Sequence, residues 1–207
     1  MSDYRLYLAF TKQAEGGLSR ATTDTASKDP VPDGSGYHTN KGITWTTFKR
    51  YAPILGYTAT PALFYQMPER IFLGIFEGYW KSAGAHLIVS QAMATIIFQA
   101  AWGGGHSNLI KDIQNYLIKN GYPKVQADGD LGPITASAIN NYCSNKGREK
   151  LLYDYTFNER LKYLRSLSSY QANGKGWENR MQLLYEYAVK FIGSKAAIGA
   201  GFFLLWL

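Results

Sequence analysis

Tyr4-Arg5-Leu6-Tyr7-Leu8-Ala9-Phe10-Thr11-Lys12-Gln13-Ala14-Glu15-Gly16-Gly17 is the stretch on which the fold turns. Tyr7, Leu8 and Phe10, with Ala14 one turn on, fit one face of a helix, and the glycine pair ends it. Glu15 then stands at a helix C-terminus, followed by two residues whose missing side chains let a bulky substrate approach its carboxyl. An acid that must protonate a leaving oxygen at neutral pH needs a raised pKa, and the edge of an apolar cleft provides it. Position alone favours a solvated helix-end glutamate, so the surrounding residues must decide.

Downstream, residues 18–44 are rich in Ser, Thr, Asp, Pro and Gly, which predicts loops with at most a short hairpin, forming one wall of a site. Helical patterns follow at 45–51, 68–80, 90–101 and 107–120, separated by Gly- and Pro-containing breaks. A turn at 129–133 leads to helices at 134–142, 149–167 and 177–192. The expected class is mainly α (α+β), without a solenoid repeat. The expected division is a part at 1–106, a helical part at 107–192 packed on it, and an apolar tail at 193–207.

The chain of 207 residues holds one substantial core, or a lobed domain with a small second module. Its net charge of +7 favours any polyanion, but no Lys/Arg run is interleaved with a nucleic-acid-reading motif, so no nucleic acid is expected as a partner. Cys143 is the one cysteine, which excludes an internal disulfide and a multi-thiolate metal site. The N-terminus lacks the apolar core and cleavage site of a secretory signal, so cytoplasmic synthesis is expected. Ala196 to Leu207 is almost wholly apolar, yet too short to cross a bilayer securely; it reads as a docked terminal helix or a membrane-touching tail.

Glu15-Gly16-Gly17, followed by Thr39-Asn40-Lys41-Gly42-Ile43-Thr44, resembles glycoside hydrolase family 108, the phage-endolysin-like N-acetylmuramidases. Tyr79-Trp80 is similar to that family's Tyr-Trp pair. Gln114 with Asp128-Gly129-Asp130-Leu131-Gly132-Pro133-Ile134-Thr135 is similar to its peptidoglycan-binding segment, and Gly176-Trp177-Glu178-Asn179-Arg180 to its Gly-Trp-x-x-Arg signature. These motifs stand in the family's order across residues 4 to 190. The resemblance implies a lysozyme-like helical fold with a small loop or β-hairpin wall beside the cleft. It also implies a bacteriolytic hydrolase acting at the cell wall on the β-1,4 bond between N-acetylmuramic acid and N-acetylglucosamine.

By that resemblance Glu15 is the general acid, and Asp33, just before Gly34-Ser35-Gly36-Tyr37-His38-Thr39, is the nearest match to the water-activating carboxylate an inverting mechanism needs. Asp24 is the alternative base, and Asp29 is also available. Thr39 is the residue whose hydroxyl would hold the attacking water. Each Asp equally suits an Asx turn in so polar a loop. Substrate contacts are expected at Gly16, Gly17, Tyr37, His38, Trp80, Trp177 and Arg180, although Tyr37 stands where the family has Gly. Trp177 and Arg180, one helical turn apart, either meet a glycan or serve core packing and a surface ion pair. Asp128 to Thr135 is explained first as a turn and helix cap, and second as a wall contact.

Scattered histidines and the absence of His-Glu-x-x-His argue against a catalytic zinc, and no cofactor is expected. Gly103-Gly104-Gly105 lacks a phosphate loop's Lys-Ser/Thr ending, and Asp128-Gly129-Asp130 lacks the later ligands of a calcium loop. Phe98 to Gly103 also lacks the Asp and Asn of the corresponding family stretch. Three rival readings remain: a lytic transglycosylase, which needs no base; a non-catalytic wall-binding protein; and a chitinase-like hydrolase.

Overall fold

Gln91-Ala-Met-Ala-Thr-Ile-Ile-Phe-Gln-Ala-Ala-Trp102 is apolar nearly all round, and in a computed structural model of the chain it forms a helix whose residues 91–100 are all buried. The structure describes residues 2–12, 18–19, 30–36 and 38–192. Among these, nine α-helices run α1 Tyr4–Lys12, α2 Trp45–Ile54, α3 Pro61–Tyr65, α4 Glu69–Ser82, α5 Gln91–Trp102, α6 His106–Lys119, α7 Pro133–Tyr142, α8 Lys146–Ser166 and α9 Tyr170–Ala188. Strands β1 Leu18–Ser19, β2 Thr39–Asn40 and β3 Ile43–Thr44 form one small antiparallel sheet in the order β1-β2-β3. The fold is mainly α with a small hairpin, as expected for a lysozyme-like helical fold.

Contacts group the chain into two units, Tyr4–Lys81 and Met1–Asp3 with Ser82–Leu207. In the first, Trp45, Phe48 and Phe64 form an aromatic core, with Phe64 5.5 Å from Trp45 edge to face and 5.4 Å from Phe48. Tyr7 of α1 lies 6.1 Å from Phe76 and 6.5 Å from Trp80 of α4, which fixes α1 against α4. In the second, α5 packs against α6, α8 and α9. Ser90 caps α5 by accepting from Met93 N at 3.1 Å while its hydroxyl donates to the buried Glu149 Oε1 at 2.6 Å. Arg160 of α8, 1% exposed, donates to Gln99 Oε1 at 2.9 Å and Gly104 O at 2.6 Å, joining α8 to the end of α5 and the turn after it.

Local chemistry shifts several boundaries from expectation. Thr60 accepts from Leu63 N at 3.2 Å and Pro61 occupies the first turn, so α3 forms where a Pro-marked break was expected. Likewise α2 runs past 51 to Ile54, with Pro53 tolerated in its last turn. The largest shift is in α9, which begins at Tyr170 rather than at 177. Gly174 there is a packing platform and not a breaker: a Cβ on it would come within 2.5 Å of the Tyr170 ring.

Candidate functional site

In Thr39-Asn40-Lys41-Gly42-Ile43-Thr44 the pairs Thr39↔Thr44 and Asn40↔Ile43 close around the two-residue turn Lys41-Gly42. Lys41 has φ 51° and Gly42 φ 75°, and two successive positive φ values match the twist of a tight hairpin. Lys41 bears a strained backbone here without the glycine or asparagine such turns favour. Its ammonium donates to Met67 O and Glu69 Oε2, both at 3.3 Å, and lies 5.5 Å from the Phe72 ring centroid. Asn40 Nδ2 donates to Phe64 O at 2.7 Å and Tyr65 O at 3.2 Å, tying β2 to the end of α3.

The same strand pairs on its other side with β1, in register Leu18↔Asn40 and Ser19↔Thr39. Thr39 is therefore the middle strand's residue, flanked by Ser19 and Thr44. It is buried, as are His38 and Asn40.

Asp33 sits in the turn closed by the bridge Val31↔Gly36. Its Oδ1 accepts from Ser35 N at 3.0 Å and from Ser35 Oγ at 2.5 Å, the Asx turn that its loop allowed. Ser35 Oγ also lies 2.5 Å from the Tyr65 hydroxyl. The Ser35 hydroxyl, then its backbone N–H, hold the exposed Asp33 carboxyl below the usual carboxylate range. His38, before β2, places its ring 6.1 Å from Tyr65 and is 5% exposed. Its buried Nδ1 has no partner among the described residues.

Asp33, His38 and Thr39 thus belong to one hairpin region within the Tyr4–Lys81 unit. Glu15, Gly16, Gly17, Asp24, Asp29 and Tyr37 lie outside the described residues. Trp80 is 2% exposed among Tyr7 and its neighbours, so as placed it is core and presents no face to a sugar. Ser35 and Tyr65 were not legible as partners of Asp33. Ser35 had a turn signal, but Tyr65 is 30 residues away and nothing in the spacing joins them.

Within the second unit, Gln114 of α6 is fully buried and organises the 128–135 turn. Its Nε2 donates to Asp128 Oδ1 at 2.8 Å, Asp130 O at 3.0 Å and Thr135 Oγ1 at 3.1 Å, and its Oε1 accepts from Gly129 N at 2.9 Å. Asp128 Oδ1 also accepts from Asp130 N at 2.9 Å; this bond, then Gln114, holds its carboxyl low. Gly129 has φ 87°, and a Cβ there would meet Ser107 Oγ at 2.2 Å. These bonds account for the turn's residues structurally.

Trp177 is half-buried on α9 with its ring 6.4 Å from Tyr170, and Arg180 is exposed. The acid between them does the tying: Glu178 Oε1 accepts from Tyr170 OH and from Arg165 Nε, both at 2.7 Å, linking α8 to α9 across their turn. No group of three or more His, Cys, Asp or Glu able to hold a metal is found among the described residues. No helix among them is long and apolar enough to cross a membrane, and 193–207, including Ala196 to Leu207, lies outside the description.

Residues 108–182 match the family model described as "Predicted Peptidoglycan domain". No curated protein matches the chain. The solved structure of Brucella abortus SagA is similar, with TM-score 0.70 at 21% identity, covering 93% of this chain and 97% of that one. At that identity the likeness is one of fold. The chain is therefore a mainly helical, cell-wall-related protein with a peptidoglycan-domain match over residues 108–182.

Proposed function

We propose that the protein is an N-acetylmuramidase of the glycoside hydrolase 108 kind, with Glu15 as general acid. The observation that carries this reading is the pairing of β2 with β1: Thr39 lies opposite Ser19, and Glu15 is only four residues before Ser19. Four peptide links span at most about 15 Å. That bound supports reading the two conspicuous family-like motifs, Glu-Gly-Gly and Thr-x-x-Gly-Ile, as parts of one site although 24 positions separate Glu15 from Thr39.

In this reading Glu15 protonates the glycosidic oxygen while Asp33 activates water on the opposite face of the sugar. Asp33 is available as a base in this reading because its exposed carboxyl, held low by Ser35, is ionised at neutral pH. Thr39 orients the water through its hydroxyl, His38 borders the subsite, and Gly16, Gly17 and Tyr37 meet the sugar. Asp24 is the alternative base. Residues 1–106 form the catalytic part and 107–192 the peptidoglycan-binding part, where Trp177 and Arg180 contact the glycan. Ala196 to Leu207 touches the membrane as the enzyme reaches the wall.

A lytic transglycosylase is the second reading, favoured by one observation: Asp33 makes an Asx turn and needs no catalytic duty to explain it. Mass spectrometry of the products decides between them. Reducing N-acetylmuramic acid ends support the hydrolase, whereas anhydro ends shift the assignment to the transglycosylase, and intact wall with retained binding leaves only a binding role.

A further inference from the structure

Asp154, Phe157 and Asn158 of α8 face Gln182 and Tyr185 of α9 across a surface groove. All but Tyr185 lie within the segment that matches the peptidoglycan family. The half-buried Tyr185 ring is its aromatic face and packs on the buried Phe157, with centroids 4.8 Å apart. Its acid is already neutralised: Lys150 donates to both Asp154 oxygens, at 2.6 and 2.5 Å, and to Tyr185 OH at 2.9 Å, while Tyr185 OH donates to Asp154 Oδ1 at 2.9 Å.

The exposed polar groups remain available. The Asn158 side chain makes no hydrogen bond among the described residues, and that of Gln182 uses only its Nε2, donating to Glu186 Oε1 at 3.0 Å. One half-buried tyrosine ring, a charge-compensated acid and two exposed carboxamides suit a neutral ligand with an apolar face and hydroxyl and amide groups. A free ammonium would find Asp154 taken. We infer that this α8–α9 groove is a binding subsite for an N-acetylhexosamine unit of the wall's glycan strand. The inference rests on the cell-wall association, not on catalysis, and it gives the 108–182 segment a contact surface separate from the 128–135 turn.

The test is a titration of the full-length Glu15→Gln protein with tri-N-acetylchitotriose, read by NMR at the side-chain amides of Asn158 and Gln182. Saturable shifts at both are expected. The added double substitution Asn158→Ala with Gln182→Ala should weaken binding at least fivefold and leave thermal unfolding unchanged, since both residues are exposed. Unmoved amides, or an unaltered affinity in the double variant, overturn the assignment. So does preferential shifting by a diaminopimelate-containing stem tripeptide, which places the peptide in the groove instead. Any of these failures leaves reducing-end release by the wild-type protein untouched, so the loss of this subsite and the loss of the muramidase reading are distinguishable.

Discussion

The carboxamide of Gln114 and the carboxylate of Asp128 are joined by a 2.8 Å hydrogen bond, in which Gln114 donates through the same Nε2 that reaches Asp130 O and Thr135 Oγ1. One fully buried side chain on α6 thereby fixes the turn that starts α7.

Gln114→Ala strands the Gly129 N–H and removes three acceptors' donor, so it should cost about 2 to 4 kcal/mol in denaturant unfolding. Gln114→Glu is nearly isosteric, yet it sets a second carboxyl against Asp128. Its instability should ease when the pH falls low enough to protonate one of the pair. Equal destabilisation of the Glu variant at neutral and acidic pH contradicts the network.

Gly174 should behave against helix propensity. In an ordinary helix interior Gly→Ala stabilises by about 1 kcal/mol. Here the Tyr170 ring, anchored through its hydroxyl to Glu178, occupies the space of the new methyl. Gly174→Ala should lower the melting temperature, and in a Tyr170→Ala background the same change should raise it. A double-mutant cycle by thermal unfolding measures the reversal.

His106 provides a pH dependence. Burial lowers its pKa below the ordinary 6.5, against the raising effect of its bond to Ala83 O at 3.1 Å and of Asp130. A depressed folded value means that the native state takes up its proton less readily than the unfolded chain. Stability from this site is therefore complete above about pH 6.5 and is lost as the pH falls through the folded value. The NMR titration midpoint of His106 should lie below 6.5, and His106→Asn should flatten the melting-temperature decline between neutral and mildly acid pH.

The hairpin turn sets the register of Thr39. Gly42→Ala forces a side chain into φ 75° and should cost about 1 kcal/mol, concentrated in faster amide exchange at Asn40 and Ile43. If Thr39 orients the attacking water, turnover should fall more than substrate affinity. Unchanged exchange at both amides rules out that turn geometry.

The sequence shows α6 by its periodic apolar face, and α5 and α7 by apolar runs between Gly- and Pro-containing breaks, to within a residue or two at most ends. For residues 18–44 it allows loops with at most a short hairpin, and the turn at Lys41-Gly42 is located by the structure. The sequence hides contacts made by shape. Gly174 and Gly176 resemble breakers until the Tyr170 ring is seen against the first, and Thr60-Pro61 resembles a loop until the threonine caps Leu63 N. Trp80 shows the opposite error, since an aromatic suited to sugar stacking is also suited to a core, and only burial separates the two. Asp33 was legible as a carboxylate in a turn, but Tyr65, which meets its partner Ser35, comes from a helix that the sequence did not announce.

The central claim is that Glu15 supplies a proton to a glycosidic oxygen. Its most direct test is reducing-end release from purified peptidoglycan by wild-type protein and by Glu15→Gln, at equal folded concentration. The account predicts release of reducing N-acetylmuramic acid ends by the wild type and a loss of at least a hundredfold in the variant, consistent with removal of a general acid. Equal release by the two proteins, or none by the wild type under conditions where it binds the wall, contradicts it.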